Sequence, residues 1–201
     1  MGDWSSLLTR LAVKAPEQII GYHGCTRKAA ERILEKQSFL SSTQAYDWLG
    51  EGAYFWEYAP YRALEWAKSR NRRSDVEFAV VGATIRLGEC LNLLDTEYIP
   101  DLESIYKEFV ATLEPTSIPK NTDRGAHFLD RIVIEAYCQA VERVADVPFQ
   151  TVRGSFPEGG SIYEGSKILR KAHTQIAVRD QTCISDLHLV ELPVEEQPSE
   201  R

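Results

Sequence analysis

Three short stretches bring together residue types able to do chemistry. Gly21-Tyr22-His23-Gly24-Cys25 sets an imidazole beside glycine at the end of a mostly apolar run. Gly50-Glu51-Gly52-Ala53-Tyr54-Phe55 sets two aromatic rings after a glycine-punctuated loop. Gln175-Ile176-Ala177-Val178 starts a β-rich run on a carboxamide. Two carboxylates, Glu158 and Glu164, lie in the Gly-rich stretch 154–165, where either could move or orient a substrate proton. That stretch has neither the Gly-Lys-Ser/Thr of a phosphate loop nor the spacing of a dinucleotide fingerprint. His23, His127, His173 and His188 share no metal-ligand spacing, and the cysteines (Cys25, Cys90, Cys138, Cys183) form no C-x-x-C pair, so no metal is expected. Taken singly, each group has a plainer reading: a packed histidine, core aromatics, a strand glutamine, a solvated loop acid. Glu135 and Glu142 read as surface charges.

The elements that must position these groups alternate along the chain. Residues 3–14 pattern as an amphipathic helix, and Gln18–Tyr22 as a strand that delivers His23. Thr26 reads as the N-cap of a helix over Arg27–Lys36 with Ala30, Ile33 and Leu34 on one face. Phe39–Ser41 reads as a brief strand, Ala53–Trp56 as another, and Pro60–Arg70 as a helix with Pro in its first turn. Glu77–Leu87 is β-branched with a glycine that marks a bulge, and Cys90–Leu94 extends the β pattern. Amphipathic helices are expected near 96–114 and 124–143, then strands at Phe149–Val152, Thr174–Arg179 and Cys183–Leu192. The fold class is α+β. One domain over 1–194 is expected, with a helical insertion at about 95–145 and a frayed polar tail from Glu195.

Together and in this order, the three stretches resemble the signature segments of the poly(ADP-ribose)-polymerase-like ADP-ribosyltransferases. His23-Gly24, led in by Tyr22, matches the opening segment, and Gly50 to Phe55 matches Gly-x-Gly-x-Tyr-Phe at every fixed position. Gln175 falls where the family carries Glu or a substitute. The likeness covers residues 18–69 and 149–192, and 95–145 has no counterpart. It implies a split β-sheet core of two small packed sheets with flanking helices, and NAD as co-substrate. It further implies that His23 holds a ribose hydroxyl and that Gly24 meets the nicotinamide amide through its backbone. Tyr54 would stack on the ring, and Ser41, Ser42 and Phe55 would add contacts from the loop and strand over the dinucleotide. His23, Tyr54, Gln175 and Glu164 are the expected catalytic set. Gln175 cannot offer negative charge to an oxocarbenium-like state, which points to single transfers and to Glu164, or Glu158, as the missing carboxylate.

With 43% hydrophobic and 26% charged residues, the 201-residue chain has the composition of a globular protein. A net charge of -7 argues against broad capture of nucleic acid, although Arg70, Arg72 and Arg73 cluster, and Arg153, Lys167, Arg170 and Lys171 bias residues 153–173. No signal peptide or membrane span is evident, so a cytoplasmic location is expected. The leading expectation is a mono-ADP-ribosyltransferase acting on protein or nucleic acid as a toxin, effector or antiviral enzyme, with an antitoxin or regulatory protein as a further partner. An NAD glycohydrolase, and an inactive module that binds NAD, ADP-ribose or a protein, stand as alternatives.

Overall fold

The computed structural model describes residues 17–44, 46–70, 75–122 and 127–193. The expected helix at 3–14, Arg72, Arg73 and the tail from Glu195 lie outside those residues. The described chain builds strands β1 (Gln18–Thr26), β2 (Ala53–Glu57), β3 (Phe78–Arg86), β4 (Cys90–Asn92), β5 (Thr151–Phe156), β6 (His173–Val178) and β7 (Ile184–Leu189). Among them run helices α1 (Arg27–Lys36), α2 (Pro60–Arg70), α3 (Ile99–Ala111) and α4 (Phe128–Ala145). The α+β reading holds, but the strands form one seven-stranded sheet, β4-β5-β6-β2-β1-β3-β7, rather than two packed sheets. The two halves meet where β1 pairs with β2, and that ladder has just two register pairs, Gly21↔Glu57 and Tyr22↔Trp56. On its other edge β1 pairs with β3 over its full length, from Gln18↔Arg86 to Thr26↔Phe78. The sheet is therefore continuous yet open along the upper part of β1.

Strand alternation sorts the core into two faces. On the first, Ile19, Phe55, Val81, Ala83, Ile85, Ile176 and Val178 pack beneath Ala30 and Ile33 of α1, whose Thr26 cap accepts from the Ala29 amide at 3.2 Å. On the second face the cover is split. Trp56 and Val80 pack against Ala63 of α2, while Val152 and Ala177 pack against Ile134, Tyr137, Cys138 and Val141 of α4. Tyr54, Trp56, His173, Gln175, Gly154 and Phe156 alternate onto this second face, between the two helical blocks. The expected Phe39–Ser41 strand is absent, because Phe39 pairs instead with a side chain: its amide donates to Gln181 Oε1 at 2.9 Å. The expected bulge in β3 is present as a register shift between Gly82 and Thr84 against β7.

One ion pair braces the β4-β5-β6-β2 half of the sheet on the first face. Arg153 of β5 donates to both carboxylate oxygens of Glu57 of β2 at 2.7 and 2.6 Å, across the intervening β6. Both side chains are largely buried, so neither charge has water to fall back on. Glu57→Gln is expected to destabilise the protein by about 3 kcal/mol, the cost of leaving a buried charge unpaired. Glu57→Gln combined with Arg153→Met should recover much of that loss. Urea unfolding of the three proteins checks this.

Candidate functional site

A cavity of about 1140 Å³ occupies the gap between α2 and α4 and reaches the open part of the sheet. Its walls include His23, Gly24, Ser42, Tyr54 and Gln175, and also Trp48, Trp56, Trp66, Phe156 and Glu158. The fold thus gathers residues from all three sequence stretches around one space. Three expected contributors stand elsewhere. Ser41 lines a smaller cavity with Glu51 and Arg179, Phe55 is wholly buried in the first-face core, and Glu164 lines neither cavity.

The opening in the sheet defines the chemistry at Gly24. The Ile20 carbonyl accepts from Tyr58 N at 3.0 Å, so Ile20, Tyr22 and Gly24 direct their N–H and C=O groups toward β2. The ladder stops at Tyr22↔Trp56. Gly24 therefore presents one donor and one acceptor to the cavity with no strand opposite among the described residues. A Cβ on Gly24 would stand 1.9 Å from the Ala63 carbonyl, so the glycine admits α2 against β1.

His23 spans the opening. Its Nδ1 lies 2.8 Å from the Tyr54 carbonyl, which only accepts, so Nδ1 carries the hydrogen. Burial holds the imidazole below its ordinary pKa, against the smaller opposing effect of that bond, so the ring is neutral at pH 7. Nε2 is then a lone pair. Phe39 and Phe55 pack edge-on against the ring, at centroid distances of 5.1 and 5.9 Å, and fix its plane.

Tyr54 is held at both ends. Its hydroxyl donates to the Gly50 carbonyl at 2.8 Å and accepts from the Leu49 amide at 3.0 Å, and burial pushes its pKa far up. The phenol is a neutral tie for the 49–50 turn, which leaves the ring as the part offered to a ligand. Gly50 adopts φ 88°, and its missing Cβ leaves room for Glu135 of α4. Glu135 is no surface charge: it accepts from the Glu51 amide and pairs with Arg179 at 3.0 and 3.1 Å. Burial opposes its ionisation, but those donors outweigh it and hold its pKa below the carboxylate range. Arg131 of α4 also donates to the Gln44 carbonyl at 3.0 Å. The helical insertion therefore fixes the loop over the cavity.

Gln175 is buried, and its Oε1 accepts from Trp48 Nε1 at 2.6 Å. An indole N–H only donates, so this bond fixes which way the carboxamide points. His173, two residues before Gln175, donates from Nδ1 to the Lys171 carbonyl and packs on Phe156. Of the acids in the Gly-rich stretch, Glu158 reaches the cavity, and Arg62 Nη2 holds one of its oxygens at 2.7 Å. Most of the positive bias seen in 153–173 is engaged internally: Arg153 by Glu57, Lys171 by Glu65 and Arg170 by the Ile162 carbonyl. Trp48, Glu135 and Arg62 are the supports that sequence reading missed. Trp48 stands two residues before Gly50, the nearest thing to a signal for it.

No family model and no solved structure matches the chain. It is similar to an uncharacterized protein of Methanocaldococcus jannaschii, 30% identical over 141 residues. The match covers 68% of this chain and 64% of the relative, so the chain spans less than two thirds of that protein's length. Among the described residues no helix is long and apolar enough to cross a membrane, and no His, Cys, Asp or Glu cluster could hold a metal ion.

The neutral state of His23 has a consequence for stability. The unfolded histidine titrates near 6.5 and the folded one lower, so the unfolded chain binds more protons between those values. Stability should fall as pH drops below about 6.5, through the folded pKa, and level off beneath it. His173, also lowered by burial, adds in the same direction. The loss between pH 7.5 and pH 5 should be smaller in His23→Gln than in the wild type. Equal losses in urea unfolding would mean that His23 is not held neutral.

Proposed function

We propose that the protein is an NAD-dependent mono-ADP-ribosyltransferase, which breaks the nicotinamide–ribose bond and passes ADP-ribose to a macromolecule. The observation that carries this reading is the β1–β2 ladder ending at Tyr22↔Trp56, short of Gly24, with His23 and Tyr54 on either side of the gap. A carboxamide such as nicotinamide's offers one acceptor and two donors, which suits the free N–H and C=O of Gly24. Tyr54 supplies a ring beside them for the pyridinium to stack on. His23 Nε2, as a lone pair, accepts a hydrogen bond from a ribose hydroxyl and holds the sugar in position as the bond breaks.

In this reading the C1′–N bond breaks with its electron pair going to the nicotinamide nitrogen, and the cationic ribose is met by an acceptor oxygen or nitrogen. The oriented Gln175 oxygen, held by Trp48, turns a dipole rather than a charge toward that cation. That neutrality supports single transfers over chain growth. The acceptor's proton passes to Glu158, the acid of the 154–165 stretch that lines the cavity, in preference to Glu164. Protein and nucleic acid both remain as acceptor classes, and a role as toxin, effector or antiviral enzyme is compatible with either. The absence of a carboxylate at Gln175 favours one further reading, a binding module without turnover.

Purified protein incubated with labelled NAD and cell lysate, followed by protease or nuclease digestion, tests the reading. Label should enter a macromolecule, and nicotinamide should be released. His23→Ala and Tyr54→Ala should each lower both by about a hundredfold, the scale of losing a positioned group. Glu158→Gln should lower transfer by one to two orders of magnitude, within the usual range for a general base, and Glu164→Gln should leave it unchanged. Tight ADP-ribose binding without nicotinamide release would instead establish the binding module.

A further inference from the structure

We propose that Arg70 forms a subsite for the diphosphate of a dinucleotide at the far end of the cavity; the proposal rests on the reading of that cavity as an NAD site. From Gln175, Trp56 and Phe156 the cavity continues past His23 and along β1 to Thr26, Ala29 and Phe78. Its volume, about 1140 Å³, lies just above the usual range of roughly 300–1,000 Å³ for small-molecule sites, room for an extended ligand. Arg70 closes α2 at this end and is the single Lys or Arg among the described lining residues.

The side chain is prepared for a ligand rather than consumed by the protein. Trp66 and Arg70 stand four residues apart on α2 and so share a face. The guanidinium carbon lies 4.4 Å from the Tyr46 ring centroid and 5.8 Å from that of Trp66. These cation–π contacts hold the charge without using a donor, so its N–H groups remain available to a ligand. Among the described residues Arg70 forms no ion pair and no hydrogen bond, unlike Arg62, Arg153 and Arg179. Asp47 of the loop feels the Arg70 charge without forming an ion pair with it, because it is buried and accepts from the Gln44 amide and the Ser42 side chain. A planar, fixed donor fork with no carboxylate on it matches the paired oxygens of a phosphate. The Tyr46 and Trp66 rings beside it line the same cavity and suit the rings that flank the diphosphate in a dinucleotide.

Calorimetric titration with ADP-ribose and with adenosine tests the assignment, alongside the KM for NAD in nicotinamide release. Arg70→Ala should weaken ADP-ribose binding and raise the NAD KM by tenfold or more, with adenosine binding and the melting temperature unchanged. Arg70→Lys should fall between, since it keeps the charge and loses the stacked fork. Wild-type NAD cleavage with an unaltered KM in Arg70→Ala would overturn the subsite while leaving the transferase reading intact. Equal weakening of ADP-ribose and adenosine would make Arg70 a packing residue and overturn it as well. A wild type that binds no ADP-ribose and releases no nicotinamide would remove the dinucleotide reading and the subsite together.

Discussion

The site depends on a sheet that is joined and then held apart. Two register pairs between β1 and β2 keep one continuous sheet, and among the described residues the next positions along β1 have no strand partner on that side. An interrupted ladder inside a protein normally leaves costly orphaned peptide groups. Here the Tyr54 carbonyl is satisfied by His23 Nδ1–H, so one side chain caps the strand end and props the opening in a single bond. That bond also sets the imidazole tautomer. The same interaction thus determines backbone access at Gly24 and the hydrogen-bonding character of His23.

The rest of the structure reads as support for that opening. On the first face the Arg153–Glu57 pair braces β5 against β2, and the core beneath α1 runs across both sheet halves. On the second face α2 and α4 cover separate halves and leave the floor of Tyr54, Trp56, Gln175 and Phe156 between them. Close approach of α2 requires that Gly24 lack a side chain, so one glycine serves both the packing and the exposed peptide group. The loop over the cavity is tied from below by the Tyr54 hydroxyl and from the side by Glu135 and Arg131.

What was legible in the sequence is what local rules control. Arg27–Lys36 and Pro60–Arg70 were readable to the residue, because Thr26 and Pro60 are start signals that act within a turn. The joint spacing of His23, Tyr54 and Gln175 brought residues on three different strands to one cavity. Long-range partners were not legible. Trp48 meets Gln175 across 127 positions and Glu135 meets Arg179 across 44, and no local pattern announces either pairing. Glu135 looked like a surface acid because its helix is amphipathic, whereas its site is made by Gly50 and Arg179 closing over it. The single sheet was misjudged for a similar reason: whether two strand sets join or merely pack turns on two residue pairs, Gly21↔Glu57 and Tyr22↔Trp56.

Those two pairs also constrain how the chemistry is divided. Had the ladder continued past Tyr22, Gly24 would bond β2 and offer a ligand nothing. Had it been absent, Tyr54 and Gln175 would have no fixed relation to His23. Cross-strand pairing then carries the geometry onward, since Trp56 stands directly opposite Gln175 and Gly154 stands opposite Gln175 on its other side. Gly154 leaves room for the Trp48 ring, whose nearest atom would lie 2.7 Å from a Cβ there. Trp48 can reach Gln175 for that reason, and the carboxamide is oriented by a residue from the loop rather than from the sheet. The position that lacks a carboxylate therefore holds a fixed neutral dipole, and the carboxylate that lines the same cavity from another element is Glu158, in its Arg62 clasp.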